Sequence, residues 1–108
     1  MIQVKVTRNE ELLESIEMTG HAGSGPYGYD LVCAAVSGIS IGAVNAVMEL
    51  TDIDLKVKQG GYGGYLKVTF PSSSHPDMDK AQLLLEGMLV SLKSIEMEYG
   101  KFIKIHEN

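Results

Sequence analysis

The alternation of apolar and polar positions along the chain predicts strands in four segments. These are residues 2–7, 13–19, 53–58 and 65–70. A period of two is typical of a strand with one buried face. The first two segments are joined by a turn at Asn9-Glu10 and the other two by the glycine-rich sequence 60–64, so each pair is expected to form a hairpin. We interpret these glycines, with Tyr62 and Tyr65, as shaping the hairpin alone. A short apolar segment, 102–105, predicts a fifth strand.

Two longer segments have the composition of helices. Residues 31–48 contain no charged side chain and reach the length of a membrane span. The serines, glycines and asparagine within them, and the lack of Lys or Arg at either end, favour a buried central helix instead. An apolar stripe at helical spacing from Met78 to Tyr99 predicts a second helix, which has Pro76 in its first turn and ends at Gly100.

The central helix is expected to have two apolar faces. One would contact the sheet through Val32, Val36, Ile39, Ala43, Ala46, Val47 and Leu50. The other would contact the second helix or another subunit through Leu31, Ala34, Ile41, Val44 and Met48.

The element order is therefore β-β-α-β-β-α-β. With 108 residues, the chain is expected to form one domain, 1–108, with one modest core. Two helices on one face of a mixed, mostly antiparallel sheet give an α/β two-layer sandwich.

Charge and cysteine content exclude several classes of function. The net charge of −5 repels nucleic acid and anionic membranes, so we expect neither as a direct partner. The single cysteine rules out an internal disulfide, and the first residues do not have the pattern of a secretory signal, which favours the cytoplasm. The histidines and the cysteine lack the paired spacing of a zinc site, so no metal or cofactor is expected.

The sharpest chemical feature is a cysteine at the start of the central helix. Asp30 is a suitable N-cap, which places Cys33 in the first turn. There the positive end of the helix dipole favours a thiolate. A glycine loop that folds back could bring His21 alongside and complete a nucleophile–base pair. The residues alone leave a second interpretation open, in which Cys33 is a core residue and His21 is inert.

The same loop also contains a formal nucleotide-binding pattern. Residues 23–28 spell G-x-G-x-x-G between a strand and a helix, with Glu49 near the distance expected for a ribose contact. The last glycine lies too far from the helix, however, and Asp30 would repel a pyrophosphate at that end. We therefore do not favour nucleotide binding.

A two-part motif resembles that of a known family. Its parts are Gly20-His21-Ala22 and, at a fixed distance, Gly28-x-Asp30-Leu31-Val32-Cys33-Ala34-Ala35-Val36-Ser37. This is similar to the signature of the ribosomal-processing cysteine proteases of bacteria, the Prp family, and the similarity extends through nearly the whole chain. Leu31 stands where isoleucine is more usual, a change expected to be harmless.

The resemblance implies a cysteine endopeptidase of ribosome biogenesis. It would remove the N-terminal extension of a large-subunit ribosomal protein precursor and work as a homodimer with a mobile loop. His21 would be the general base and Cys33 the nucleophile, while Asp30 would orient His21 or only cap the helix. The oxyanion would be held by backbone N–H groups of Cys33 and of a loop glycine. The substrate loop would comprise Gly23, Gly25, Tyr27, Gly28 and Tyr29.

A different class of function also remains open. In a non-catalytic ribosome-assembly or RNA-associated factor, Cys33 would be structural. The acidic balance of the chain, and its lack of a basic run with interleaved aromatic residues, count against this alternative.

Overall fold

Five strands form one sheet in the order β3-β4-β2-β1-β5. A computed structural model describes residues 1–26, 30–61 and 64–107. The elements are β1 (Ile2–Asn9), β2 (Leu12–Thr19), α1 (Leu31–Leu50), β3 (Lys56–Gly60), β4 (Tyr65–Thr69), α2 (Met78–Tyr99) and β5 (Ile103–Glu107). This is the predicted order of strands and helices.

The sheet is mixed and mostly antiparallel, as predicted. β2 pairs antiparallel with β1 and β4, and β3 pairs antiparallel with β4. β5, which follows α2, returns parallel to β1 at the opposite end of the sheet from β3. A bulge between Thr7 and Arg8 shifts the β1–β2 register, so Glu14 has no partner in β1.

The core lies between the helices and one face of the sheet. The strands contribute Val4, Val6, Ile16, Val68 and Ile103, each at most 1% exposed. α2 contributes the equally buried Leu85, Leu89 and Leu92, and it packs against α1, β2 and β5. Because the strand residues of opposite parity are mostly exposed or half-buried, the helices cover one face, which confirms the two-layer architecture.

The predicted strand over 53–58 begins later than expected. Ile53 and Leu55 are 4% exposed, but β3 begins only at Lys56. The backbone N–H of Ile53 donates to Thr51 Oγ1, 3.1 Å away, in the turn that follows α1. The alternation before Lys56 therefore reports burial of side chains rather than strand pairing.

The faces of α1 were predicted only in part. Its buried residues are Val32, Val36, Ser40, Val44 and Val47. Leu50 was expected against the sheet but is 70% exposed, and Val44 belongs to the buried face. By length and a mean hydropathy of 2.0, α1 could cross a membrane. A core helix passes the same test, and α1 supplies five residues to this core.

Candidate active site

Asp30 caps α1 and also fastens the preceding loop. Its extended backbone (φ −84°, ψ 103°) turns the side chain back, so that Oδ1 accepts the backbone N–H of Cys33 at 3.1 Å. The Ser24 N–H donates to Oδ2 at 3.0 Å, and the Ser24 hydroxyl donates to Oδ1. The predicted N-cap is confirmed, whereas Ser24 was not singled out in the sequence.

Ser24 makes a further contact with the helix. Its hydroxyl oxygen accepts the Val32 N–H at 3.4 Å. Burial raises the pKa of Asp30, but the hydrogen bonds from Ser24 and Cys33 outweigh it and hold that pKa well below its ordinary value. Asp30 is therefore a carboxylate, and Ser24 holds the loop against the first turn of α1.

The Cys33 side chain is half-buried beneath the loop. Its Sγ accepts the backbone N–H of Ala22 at 3.1 Å. Burial raises the pKa of the thiol, Ala22 lowers it, and the Asp30 carboxylate raises it further, so the pKa lies above the ordinary value of 9.0. In this conformation the pKa of Cys33 is raised rather than lowered, chiefly because the thiol is buried and also because the capping carboxylate brings negative charge close to the sulfur.

His21 lies beside the hairpin that joins β3 to β4. A methyl group at Gly64 would lie 2.8 Å from His21 Nε2, so the imidazole packs directly against the backbone there. The Gly20 N–H donates to the Gly64 carbonyl oxygen at 2.8 Å. Gly20 has φ +92°, and a Cβ there would lie 2.4 Å from the Met1 carbonyl oxygen, so this position requires glycine.

His21, Cys33 and Asp30 line the same cavity, of about 870 Å³. Gly23 and Gly25 also line it, whereas Tyr27, Gly28 and Tyr29 lie outside the described residues. The rest of the lining comes from α1 and from the β3–β4 hairpin, through Ala34, Ser37, Ile41, Gln59, Gly60, Gly64, Tyr65 and Leu66. The hairpin therefore does more than join two strands. A cleft of this volume accommodates an extended peptide segment.

We looked for a possible metal-binding site among residues 1–26, 30–61 and 64–107. These residues contain no group of three or more His, Cys, Asp or Glu side chains that could hold an ion. The cavity instead brings together a thiol, an imidazole and a backbone N–H donor to the sulfur. Such an arrangement can support nucleophilic attack on a carbonyl group.

Comparison with known proteins identifies the family. The family model of the cysteine protease Prp matches residues 1–104. The chain belongs to this family. The ribosomal processing cysteine protease Prp of Bacillus subtilis (strain 168) is 44% identical over 110 residues, covering 100% of this chain and 98% of that protein. The protein of the same name from Staphylococcus aureus (strain Mu50) is 38% identical over 107 residues, covering 98% of each.

Solved structures agree in fold and in chemistry. The S. aureus Prp protease with a covalently linked product peptide superposes with a TM-score of 0.91 at 36% identity, covering 100% of both chains. The same protease with a substrate peptide gives 0.86 at 37%, again over 100% of both chains. SMU.848 from Streptococcus mutans gives 0.86 at 38%, over 99% of this chain and 93% of the other. The predicted enzyme class, a cysteine protease, is confirmed, and a non-catalytic factor is not favoured.

Proposed function

We propose that this protein is an endopeptidase that removes the N-terminal extension of a large-subunit ribosomal protein precursor in the cytoplasm, with Cys33 as nucleophile and His21 as base. The observation that carries the residue assignment is their position in one cleft, with a backbone N–H directed at the sulfur. The relatives with this chemistry are named as ribosomal processing proteases, which supports the substrate class.

The reaction is an acyl transfer in two stages. His21 accepts the Cys33 proton as the sulfur attacks the scissile carbonyl carbon, and the carbon–sulfur bond forms. The tetrahedral intermediate then breaks its carbon–nitrogen bond, and His21 returns the proton to the departing amine. Water, deprotonated by the same imidazole, hydrolyses the thioester and releases the acid product and the thiol.

The raised pKa of Cys33 determines when the nucleophile forms. In the conformation described, the sulfur is a thiol, because burial and the Asp30 carboxylate oppose its ionisation. The base must therefore remove the proton as the peptide binds, rather than act on a thiolate that is already present. The Ala22 N–H, 3.1 Å from Sγ, stabilises negative charge on the sulfur as it develops.

The expected oxyanion donors were the backbone N–H groups of Cys33 and of a loop glycine, and a hydrogen bond in the structure favours a different choice for the first. The Cys33 N–H was expected to hold the oxyanion, but it donates to Asp30 at 3.1 Å and is the cap of the helix. The Ala22 N–H lies close enough to the sulfur to reach an oxygen on the carbon that the sulfur attacks. We therefore propose that the Ala22 N–H contacts the sulfur before attack and turns to the oxyanion as the tetrahedral intermediate forms, which leaves the helix cap unbroken.

We also propose that the enzyme is a homodimer that pairs through α1. Ala34, Ile41 and Met48 are exposed and follow one another at intervals of seven residues, so they share one side of the helix. Ile41 is 43% and Met48 49% exposed, which leaves an apolar strip on the helix surface. Ile41→Glu should give a monomer in sedimentation velocity, whereas Lys80→Glu, exposed on α2, should leave a dimer.

The catalytic assignment is tested with a peptide that spans the precursor junction. Cys33→Ser and His21→Ala should each abolish cleavage, while circular dichroism shows an unchanged fold. Alkylation of Cys33 in the folded protein should slow when His21 is replaced. Cleavage by Cys33→Ser at the normal rate would contradict the nucleophile assignment.

A further inference from the structure

The sheet face opposite the helices carries a row of polar, mostly charged side chains. In sheet order, the row contains Lys58, Lys67, Glu17, Lys5 and His106, one from each strand. The register pairs each residue with the next, so the row runs straight across all five strands. Four strand spacings of about 4.8 Å make it about 19 Å wide.

Lysine dominates this face beyond the row itself. Lys56 and Lys104 occupy the same face in adjacent register positions, so five of the nine basic residues of the chain lie here. Among the described strand residues paired across this face, the one carboxylate is Glu17, since Glu14 lies at the bulge. This face is therefore rich in positive charge, although the protein as a whole has a net charge of −5.

This concentration of charge is invisible in the linear sequence. Within a strand, the lysines alternate with side chains that point into the core, so no basic run appears. The net charge predicts repulsion of polyanions, but the fold places most of the carboxylates elsewhere. The electrostatic potential at a surface depends on where the charged groups lie, and not on the net charge alone.

Glu17 is held within the row by a neighbour. The Tyr65 hydroxyl donates to Glu17 Oε2 at 2.7 Å, and Lys5 and Lys67 flank Glu17 in the register. Beside them, a shallow depression of about 310 Å³ is lined by Gln3, Lys5, Glu17, Thr19 and His106, together with Val6 and Glu107. Amide and hydroxyl groups thus lie next to the ammonium groups.

We propose that this face binds the phosphate backbone of single-stranded RNA. The row carries three ammonium groups spread over about 14 Å, with Lys56 and Lys104 beside it, which matches a ligand with several phosphates in succession. The paired rows around it present no apolar side chain other than the Tyr65 ring among the residues described, which disfavours insertion into a membrane surface.

The shape of the face selects RNA among the polyanions. It is the surface of a sheet, whereas proteins that read duplex DNA insert a helix or a two-stranded ribbon into the major groove. Sheet faces bind unpaired RNA by combining basic side chains with an aromatic ring on which a base stacks, and Tyr65 offers such a ring. Gln3 and Thr19 can hydrogen-bond a ribose 2′-hydroxyl.

The test measures binding of a fluorescein-labelled 12-nucleotide oligouridylate to the whole protein by fluorescence anisotropy. The variant Lys58→Gln/Lys67→Gln removes two ammonium groups from the row. Its matched control, Lys80→Gln/Lys101→Gln, makes the same change in net charge at exposed lysines outside the face. Circular dichroism and peptide cleavage should be unchanged in both, because none of the four lysines lines the active-site cavity.

Each phosphate contact to a single strand contributes about 0.7 to the slope of log affinity against log salt. At 0.05 M salt, this corresponds to a factor of about 8 per contact and about 60 for two contacts. We expect the row variant to bind about 60-fold more weakly, with a slope lower by about 1.4, and the control to bind within about twofold of the wild type.

Three results would overturn the proposal. These are equal losses in the two variants, no saturable binding of the RNA by the wild type, and tighter binding to phosphatidylglycerol vesicles, duplex DNA or polyglutamate than to the RNA. Because the assay does not depend on proteolysis, a failure here leaves the proposed protease function intact. Loss of cleavage in Cys33→Ser likewise says nothing about the lysine row.

Discussion

Substitution of Gly64 by alanine should damage catalysis through the position of His21. The added methyl group would lie 2.8 Å from Nε2 and 3.4 Å from Cδ2 of the imidazole. It would also lie 2.9 Å from the Gly61 carbonyl oxygen, which accepts the Gly64 N–H in the turn. Both neighbours are closer than 3.0 Å, so the methyl group can be admitted only if the imidazole moves and the turn backbone also shifts.

The size of the effect follows from the overlap. An ordinary contact begins at 3.4 Å, so Nε2 must retreat by about 0.6 Å from its position at 2.8 Å. A displacement of about 1 Å at a catalytic group can cost about 100-fold in rate, which makes about tenfold the expected loss for this shift. The free energy of unfolding should fall by about 1–3 kcal/mol, because the methyl group overlaps a backbone oxygen as well as the imidazole.

The assay is kcat/KM for cleavage of the junction peptide, with unfolding in urea measured in parallel. Gly60→Ala is the matched control, since Gly60 lines the same cavity but a methyl group there would meet no atom within 4 Å. Full activity in Gly64→Ala, or an equal loss in Gly60→Ala, would refute the argument that this backbone positions the imidazole.

Other predictions concern stability. Gly20→Ala should lower the free energy of unfolding by about 3 kcal/mol or more, because φ is positive there and the added methyl group would lie only 2.4 Å from the Met1 carbonyl oxygen. Thermal denaturation should show a midpoint lower by about 12 °C. Gln82→Leu should cost about 2–5 kcal/mol in urea denaturation, because the buried amide serves both the N–H and the carbonyl oxygen of Leu13. Asp30 has a folded-state pKa below its ordinary value of 3.8, so its contribution is complete well above pH 4 and is lost as the pH falls further. Asp30→Asn should therefore lose less stability than the wild type between pH 5 and pH 2, as measured by thermal midpoints across that range. Equal losses in the two proteins would contradict a lowered pKa at Asp30.

The sequence predicted those parts of the site that depend on a few neighbouring residues. Asp30 caps α1 and Cys33 stands in its first turn because capping is decided within four positions along the chain. The element order was equally accessible, since each strand and helix carries its own period. The start of β3 was predicted too early because Ile53 and Leu55 are buried outside the strand, and burial alone produces the same alternation as a strand.

Contacts between distant segments could not be obtained in this way. That the Gly64 backbone adjoins His21 depends on the pairing of β2 with β4. The hydrogen bond from the Ala22 N–H to Cys33 depends on the path of the loop. The glycines in the sequence predict a flexible loop there, but not which way it runs. The hydroxyl of Ser24, six residues before the N-cap, was only a weak indication of its role. Its contact with Asp30 forms only when the loop folds back.

The thiol shows why a correct local prediction can lead to a wrong chemical one. The helix N-terminus was expected from the sequence both to accept a capping side chain and to stabilise a thiolate. The same backbone N–H groups would have to serve both, so the two acceptors compete for them. The Cys33 N–H donates to Asp30, so the helix end stabilises that carboxylate. Burial and the added negative charge both raise the pKa of the thiol. A cysteine in this position needs a base of its own, which makes His21 a requirement of the mechanism rather than an accessory to it.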